Sequence, residues 1–162
     1  MCSSDLSQYG AIRSMKREDI APVLSLMRPF VEKGILLYRS EEEMKAIYED
    51  FVVYEIDGAI RACAALHFYF DNDETKRQGE IAAIAVDENY TKTGIGFKLV
   101  AFLKEKAISN NMKSIFVLTT QTGDWFEKMG FVQAKIESLP QEKQKIIDTK
   151  RKSKIFRLDL SE

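Results

Sequence analysis

The hydrophobic positions of the chain change their period several times, and each change predicts an element. A short strand is predicted at 11–15, and the apolar residues of 20–30 then recur at helical spacing. Ser40 and Glu43 have the spacing of a capping box, which predicts a second helix over roughly residues 41–49. From residue 51 the period becomes two, and Asp57-Gly58 between two β-rich runs predicts a hairpin.

The second half of the chain predicts one strand–helix–strand crossover. A β-compatible run at 79–86 is followed by two glycines, by an amphipathic helix and by the continuous apolar strand 114–118. The remaining predicted elements are a short helix near 124–129, a strand at 131–136, a helical segment within 138–149 and a final strand at 154–160. The fold class predicted is α/β, with a mixed sheet of about seven strands flanked by about four helices.

Composition narrows the class of protein. The chain has 162 residues, of which 45% are hydrophobic and 30% charged, and this suits a single domain over 11–162 after a flexible leader at 1–10. A net charge of -1 creates no field that favours nucleic acid or an anionic membrane, and the apolar runs are too short to cross a bilayer. Two cysteines and one histidine indicate a cytoplasmic protein with no disulfide framework and no metal site.

The most informative stretch is Thr91–Gly96, which reads TKTGIG between a predicted strand and a predicted helix. The first turn of a helix leaves backbone N–H groups unpaired and carries a partial positive charge. Glycines let a pyrophosphate group come close to those N–H groups. A Gly-x-Gly pair also occurs at ordinary turns, so the position of this pair between strand and helix is what favours anion binding.

This stretch resembles the phosphate loop of GNAT-superfamily acyltransferases, Gln/Arg-x-x-Gly-x-Gly/Ala. Both glycines match, whereas Thr91 stands where the superfamily has Gln or Arg, and Lys92 is the cation that can replace it. The resemblance implies the GNAT fold and acetyl-CoA as co-substrate. The residues expected to bind it are Ile84, Ala85, Val86, Thr91, Lys92, Thr93, Gly94, Ile95 and Gly96.

Three further segments resemble the acetyltransferase domain of bacterial N-acetylglutamate synthases, in the order and spacing of that family. They are Gly34–Ser40, then Phe116–Phe126 with Gly130-Phe131, and then Leu139-Pro140 with Lys150–Lys154. The resemblance covers roughly residues 11–160. Many members also carry an N-terminal amino-acid-kinase-like domain where arginine binds, and this sequence holds nothing of that size. The chain is therefore either a short stand-alone form or one domain of a longer protein.

The resemblance assigns chemical roles to several residues. Family members carry the general base at the position of Glu80, and a buried carboxylate is a stronger base than an exposed one. The alternative is an ordinary exposed glutamate at a strand end. Backbone N–H groups around Ala83 to Ala85 are expected to meet the thioester oxygen. Phe126 stands where many GNAT enzymes have a tyrosine that acts as the general acid. Two alternatives follow: Thr119 donates a proton to the leaving thiolate, or the thiolate leaves with little help.

The same resemblance predicts the acceptor. Arg39, Arg151 and Ser153 match positions that contact glutamate in the family, and Lys143 is a weaker match. Arginine binds carboxylates bidentately, as a dicarboxylate acceptor requires. Without the resemblance, the cations of 143–157 would be interpreted as a solvated basic face. The predicted activity is transfer of an acetyl group to the α-amine of an amino acid, L-glutamate, as in arginine biosynthesis.

Other functions remain open at this point. One is a GNAT acetyltransferase of another amine or of a protein N-terminus, which the basic residues near the C-terminus disfavour. Another is a catalytically weak acyl-CoA-binding module, which the altered loop and the absent tyrosine allow. A nucleic-acid-binding module is disfavoured because the basic stretch has no interleaved aromatic residues. The expected partners are small molecules, with no nucleic acid and no membrane, and a homodimer is left open.

Overall fold

The computed structural model describes residues 11–121, 123–147 and 152–160, which form seven strands and five α-helices. The predicted leader at 1–10 lies outside the described residues. In chain order the elements are β1 Ala11–Ser14, α1 Ile20–Glu32, α2 Glu41–Ile47, β2 Phe51–Ile56, β3 Ala59–Tyr69, β4 Gln78–Val86, α3 Ile95–Ser109, β5 Ser114–Thr119, α4 Asp124–Glu127, β6 Val132–Ala134, α5 Gln141–Ile146 and β7 Lys154–Asp159.

The strands form one mixed sheet in the order β1-β2-β3-β4-β5-β7-β6. The pairs β1–β2, β2–β3, β5–β7 and β6–β7 are antiparallel, while β4 and β5 run parallel and are connected through α3. A parallel pair needs such a crossover, because a tight turn can join only antiparallel strands. The predicted mixed sheet of seven strands, with its one β–α–β crossover, is therefore confirmed.

Two local predictions are confirmed by their hydrogen bonds and dihedral angles. The Glu43 N–H donates to Ser40 Oγ at 3.1 Å, and the Ser40 N–H donates to Glu43 Oε1 at 2.9 Å. Hydrogen bonds from the Ser40 backbone N–H and the Ser40 side chain hold the pKa of the Glu43 carboxyl below its ordinary value. Asp57 and Gly58 have φ of 51° and 80°, the left-handed pair that a tight hairpin turn requires.

Element ends differ from the sequence prediction where short 3₁₀ turns intervene. Helix α2 stops at Ile47 rather than residue 49, because Tyr48–Asp50 forms a 3₁₀ turn. Strand β6 covers only Val132–Ala134, because a second 3₁₀ turn follows it at Ile136–Ser138. Within the described residues a fifth α-helix, α5, comes from the segment predicted as helical within 138–149.

Residue contacts divide the chain into two compact units. The first unit contains residues up to 65 together with 83–102. Its core packs α1 and α2 against strands through fully buried side chains such as Val23, Met44 and Phe51. The second unit contains 66–82 and 103–162, and one of its buried clusters is built on Phe116 and Leu139. A single domain over 11–162 stays a prediction.

Candidate functional site

Strand β4 departs from regular geometry at Ala83, where φ is +54° although the residue has a Cβ. A left-handed residue within a strand costs of order 1–3 kcal/mol and reorients the backbone groups beside it. The Cys63 thiol of β3 is 3.5 Å from the Ala83 carbonyl oxygen, to which it donates. The kink lies in the segment where backbone N–H groups are expected to meet the thioester oxygen.

Cys63 serves this part of the first unit as a buried packing residue. Burial raises the pKa of its thiol to about 12, although a backbone hydrogen bond with Ala85 and the charge of Arg39 act in the opposite direction. A thiol with so high a pKa carries little thiolate at neutral pH, and thiolate is the reactive form. Cys63 therefore supports the β4 kink rather than acting as a nucleophile.

Arg61 of β3 holds the entry to Thr91–Gly96, the predicted phosphate loop. The Asp87 N–H donates to the Arg61 carbonyl oxygen at 2.8 Å, and the Arg61 guanidinium lies 3.4 Å from Asp87 Oδ2. The same guanidinium lies over the Tyr90 ring, 5.3 Å from its centroid. Backbone, charge and ring contacts together fix where the chain leaves β4 and begins the loop.

The loop itself has the geometry that an anion site needs. Gly94 has φ of +82°, a left-handed conformation that favours glycine, and a Cβ there would meet no atom within 4 Å. The first helical bond of α3 runs from the Lys98 N–H to the Gly94 carbonyl oxygen at 3.1 Å, so the N–H groups of Ile95 and Gly96 precede it. These two N–H groups lie at the positive end of a helix of 15 residues.

The predicted cofactor-binding residues therefore fall on adjacent parts of the first unit. Ile84, Ala85 and Val86 end β4, and Thr91, Lys92 and Thr93 form an exposed turn before Gly94, Ile95 and Gly96. A kinked strand end followed by a helix N-terminus suits a long ligand that carries phosphates at one end. The residues present fit a CoA pyrophosphate on these grounds.

Glu80 lies on β4 in the second unit and is buried, with 8% of its side chain exposed. Lys143 Nζ of α5 lies 3.1 Å from Glu80 Oε1, and the Tyr69 hydroxyl of β3 donates to the same oxygen at 3.0 Å. A buried carboxylate must be paired or hydrogen-bonded to remain stable, and here it is both. The interpretation of Glu80 as an exposed strand-end residue is therefore wrong.

Neighbouring residues fix the surroundings of Glu80. Gln78, two residues earlier and so on the same face of β4, donates from Nε2 to the Ser138 carbonyl oxygen at 2.7 Å. The segment that leads into α5 is thereby attached to β4. Between them, a Cβ on Gly79 would lie 2.8 Å from Leu66 Cδ1, so a larger residue there would displace Leu66.

The remaining predicted site residues are placed as follows. Thr119 ends β5, where its Oγ1 accepts the Gln121 N–H at 3.0 Å. The Arg39 guanidinium lies over the Phe51 ring, 5.9 Å from its centroid, in the first unit. Ser153 precedes β7 in the second unit, and Arg151 lies outside the described residues. The predicted grouping of Arg39 with Arg151 and Ser153 thus stays a prediction.

Sequence reasoning missed three residues of these sites: Tyr69, Gln78 and Arg61. Each makes its contact from one strand to another segment of the fold, and no spacing rule links the partners. In the described ranges, His, Cys, Asp and Glu form no group of three or more that could hold a metal ion. No described helix has the length and apolar character needed to span a membrane.

Comparison with known proteins decides the family. The sequence pattern of the acetyltransferase (GNAT) family matches residues 22–131, which is more than half of the chain. The chain belongs to the GNAT acetyltransferase family. The predicted family membership and the predicted fold are both confirmed.

Two relatives and two solved structures show where this GNAT chain lies within the family. Amino-acid acetyltransferases of Buchnera aphidicola subsp. Schizaphis graminum and Pseudomonas fluorescens are 39% and 37% identical to it over 149 and 153 residues. These matches cover 92% and 94% of this chain but only 33% and 34% of the relatives. The chain therefore spans about a third of the length of the curated relatives it matches.

Among solved structures, N-acetylglutamate synthase from Neisseria gonorrhoeae, complexed with coenzyme A and N-acetyl-glutamate, superposes with a TM-score of 0.86 at 35% identity. This match covers 94% of the GNAT chain and 35% of the synthase. Rv2747 from Mycobacterium tuberculosis, a CoA complex, has a TM-score of 0.75 at 23% identity, covering 93% of this chain and 99% of that protein. At that identity the second likeness shows the fold alone.

Proposed function

We propose that this chain transfers the acetyl group of acetyl-CoA to the α-amine of an amino acid, with L-glutamate as the acceptor. The observation that carries the proposal is the buried carboxylate of Glu80, held at one oxygen by Tyr69 and Lys143. Its position on β4 matches the general base of the synthase family. The likeness to amino-acid acetyltransferases and to N-acetylglutamate synthase supports the choice of acceptor.

Acetyl-CoA supplies an activated acyl group, and the amine nitrogen forms the new C–N bond as the C–S bond breaks. The acceptor arrives as an ammonium ion, and Glu80 accepts the proton whose loss frees the nitrogen lone pair. The nitrogen loses a second proton as the amide forms, which balances the proton taken up by the leaving thiolate. Both described contacts of Glu80 end on Oε1, so Oε2 receives neither and is the oxygen proposed to take the proton. We therefore assign Glu80 the role of base.

Backbone groups carry the proposed binding of the co-substrate. Ile95 and Gly96 would donate to the pyrophosphate, and N–H groups around Ala83 to Ala85 would donate to the thioester oxygen. The left-handed φ of Ala83 and of Gly94 supports this assignment, because both conformations redirect backbone N–H groups. Thr119 as donor to the leaving thiolate is part of the proposal.

The proposed acceptor site uses Arg39, Arg151 and Ser153 for the two carboxylates of glutamate. Lys143 was also predicted to contact the acceptor, and its ion pair with Glu80 gives it another partner. A cytoplasmic location and a homodimer stay predictions.

The test is a thiol-release assay with acetyl-CoA against each of the twenty amino acids, a polyamine and a peptide N-terminus. We expect release above background with L-glutamate and much less with glutamine or aspartate. Arg39→Ala should then raise the glutamate KM steeply. Loss of the contact costs about 2–5 kcal/mol of binding free energy where the carboxylate is desolvated. Release with a polyamine or a peptide but not with glutamate would contradict the proposed acceptor. Binding of CoA without any release would favour an acyl-CoA-binding module.

A further inference from the structure

We propose that Tyr69 is a positioning residue for Glu80, and that Tyr69 and Lys143 together fix one carboxylate oxygen so that the other is presented to the acceptor amine. This inference rests on the proposed function, because it concerns the base of that reaction. It assigns a role to a strand residue that no motif singled out. All of the residues involved belong to the second unit.

The geometry around Oε1 carries the first step. The Tyr69 hydroxyl is 3.0 Å and Lys143 Nζ is 3.1 Å from that single oxygen. One donor would leave the carboxylate free to rotate about its last torsion angle, whereas two donors from different segments restrict that rotation. Proton transfer needs the base oxygen within about 3 Å of the amine. A carboxylate held in one orientation therefore accepts the proton faster than one that rotates.

The second step is that the donors are themselves fixed. The Tyr69 ring packs against the Phe116 ring with centroids 6.0 Å apart, and Phe116 is fully buried directly opposite Glu80 in the β4–β5 pair. The ring is thus fixed by the strand that also flanks the carboxylate. A tyrosine in this setting has little rotamer freedom to lose when its hydroxyl makes the bond.

Lys143 is fixed from the other side by the start of α5. Gln78 attaches the Ser138 carbonyl to β4 at 2.7 Å, and Gln144 Nε2 donates to the Leu139 carbonyl oxygen at 2.7 Å. Leu139 itself is fully buried. Lys143 therefore projects from a helix whose start is anchored, and only 16% of its side chain is exposed. Its ammonium supplies the charge that a buried Glu80 carboxylate needs.

The decisive experiment compares Tyr69→Phe, Glu80→Gln and the double variant in steady-state kinetics. Tyr69→Phe keeps the ring on Phe116 and removes only the hydroxyl. We expect kcat to fall about tenfold, which corresponds to loss of one hydrogen bond to a charged group, with the KM for acetyl-CoA unchanged. In the Glu80→Gln background the same change should have no further effect beyond about twofold, because Tyr69 acts through Glu80. Tyr48→Phe, which removes a hydroxyl from the first unit, is the matched control and should leave kcat unchanged.

Lys143 is tested by Lys143→Met against Lys143→Arg. The methionine keeps the length of the stem and removes the charge, so kcat should fall by about tenfold or more. The arginine keeps a cationic donor and should recover kcat to within about threefold of the wild type. A rise in the acceptor KM with kcat unchanged would show that Lys143 binds the acceptor instead, and would overturn its positioning role.

The outcomes separate this proposal from the proposed function. If the wild type releases no CoA with any of the amines, the proposed function fails and the positioning role fails with it. If the wild type is active and Tyr69→Phe keeps its kcat, only the positioning role is overturned. The same holds if Tyr69→Phe slows the Glu80→Gln variant as much as it slows the wild type, since additive effects would mean that Tyr69 acts on the fold and not on the base.

Discussion

The phosphate loop and the Glu80 site are built from different kinds of groups. The loop of the first unit offers backbone N–H groups, a left-handed Gly94 and an exposed turn. The Glu80 site of the second unit is a set of buried side chains that converge on one oxygen. A backbone site tolerates most side-chain changes, whereas a side-chain site depends on each residue. The proposed backbone site is therefore compatible with Thr91 at the position where the superfamily has Gln or Arg, and the contrast predicts a graded set of mutational effects.

The largest effect on activity is expected at the side-chain site. Glu80→Gln keeps the shape of the carboxylate and removes its ability to accept a proton, so kcat should fall by roughly 10²–10⁴-fold. The dissociation constant of CoA, measured by calorimetry, should stay nearly unchanged. The exposed Glu49→Gln provides the matched control. A fall in kcat of less than about threefold would show that Glu80 has a structural role and is not the base.

The second-largest effect is expected when a negative charge is introduced into the proposed backbone site. Gly96→Asp places a carboxylate in the first turn of α3, where it would repel the CoA pyrophosphate, and the affinity for CoA should fall about 100-fold. Ala101→Asp adds the same charge to an exposed position of the same helix and should change CoA affinity little. CoA should raise the Tm of the wild type but not of Gly96→Asp. If both variants bind CoA equally well, the loop is not the phosphate site.

A single exposed side chain of the loop should matter much less. Lys92→Ala removes one solvated cation near the phosphates, and we expect CoA affinity to fall only about two- to fivefold. The effect should shrink further in high salt, because exposed charges are screened. Lys33→Ala, an exposed lysine after α1, is the control. A loss as large as that of Gly96→Asp would show that side chains, rather than backbone groups, carry the binding.

The smallest effect on activity is expected at an ion pair of the first unit that belongs to neither site. Arg13 makes a bidentate pair with Asp19 at 2.7 and 3.1 Å, and its hydrogen bonds hold the pKa of Asp19 below the ordinary 3.8. A lowered folded-state pKa means that the stabilisation is present above the ordinary value and is lost as pH falls through the folded one. Asp19→Asn should therefore reduce the free energy of unfolding at pH 7 by about 1–3 kcal/mol, with kcat unchanged.

This pH dependence is checked by urea unfolding at a series of pH values. The difference between wild type and Asp19→Asn should narrow below about pH 4, where the unfolded-state carboxyl begins to bind protons. The exposed Glu18→Gln should show little difference at any pH. A constant difference across the series would mean that Asp19 stabilises the fold through packing and not through its charge.

Much of the fold could be predicted from the sequence, because the signals concerned are local. The capping box at Ser40 and the hairpin at Asp57-Gly58 each involve partners within a few residues. The predicted strands and the crossover through α3 follow from the period of apolar positions, which reports which face is buried. Element ends were less well predicted, since a 3₁₀ turn and a helix end share the same residue preferences.

The same distinction between local and long-range signals applies to the candidate site. The predicted phosphate loop could be proposed from Gly94 and Gly96 because the proposed function depends on local backbone conformation, which glycine spacing reports. The sequence did not show whether Glu80 is buried, and an exposed residue at a strand end was an equally open interpretation. The contacts of Glu80 with Tyr69 and Lys143 decided between the two. The acceptor-binding residues still depend on resemblance, and Arg151 lies outside the described residues.

By itself the sequence determined the family, the order of elements and the strand–loop–helix segment that is proposed to bind phosphate. Only the tertiary structure decided that Tyr69, Glu80 and Lys143 meet at one oxygen, and that Cys63 lies under the kink at Ala83. The physical reason is that local propensities act over a few residues, whereas a buried hydrogen bond or ion pair depends on which segments are packed together. Its partners lie on different strands and helices, so they are set by sheet order and register, which no short sequence motif contains.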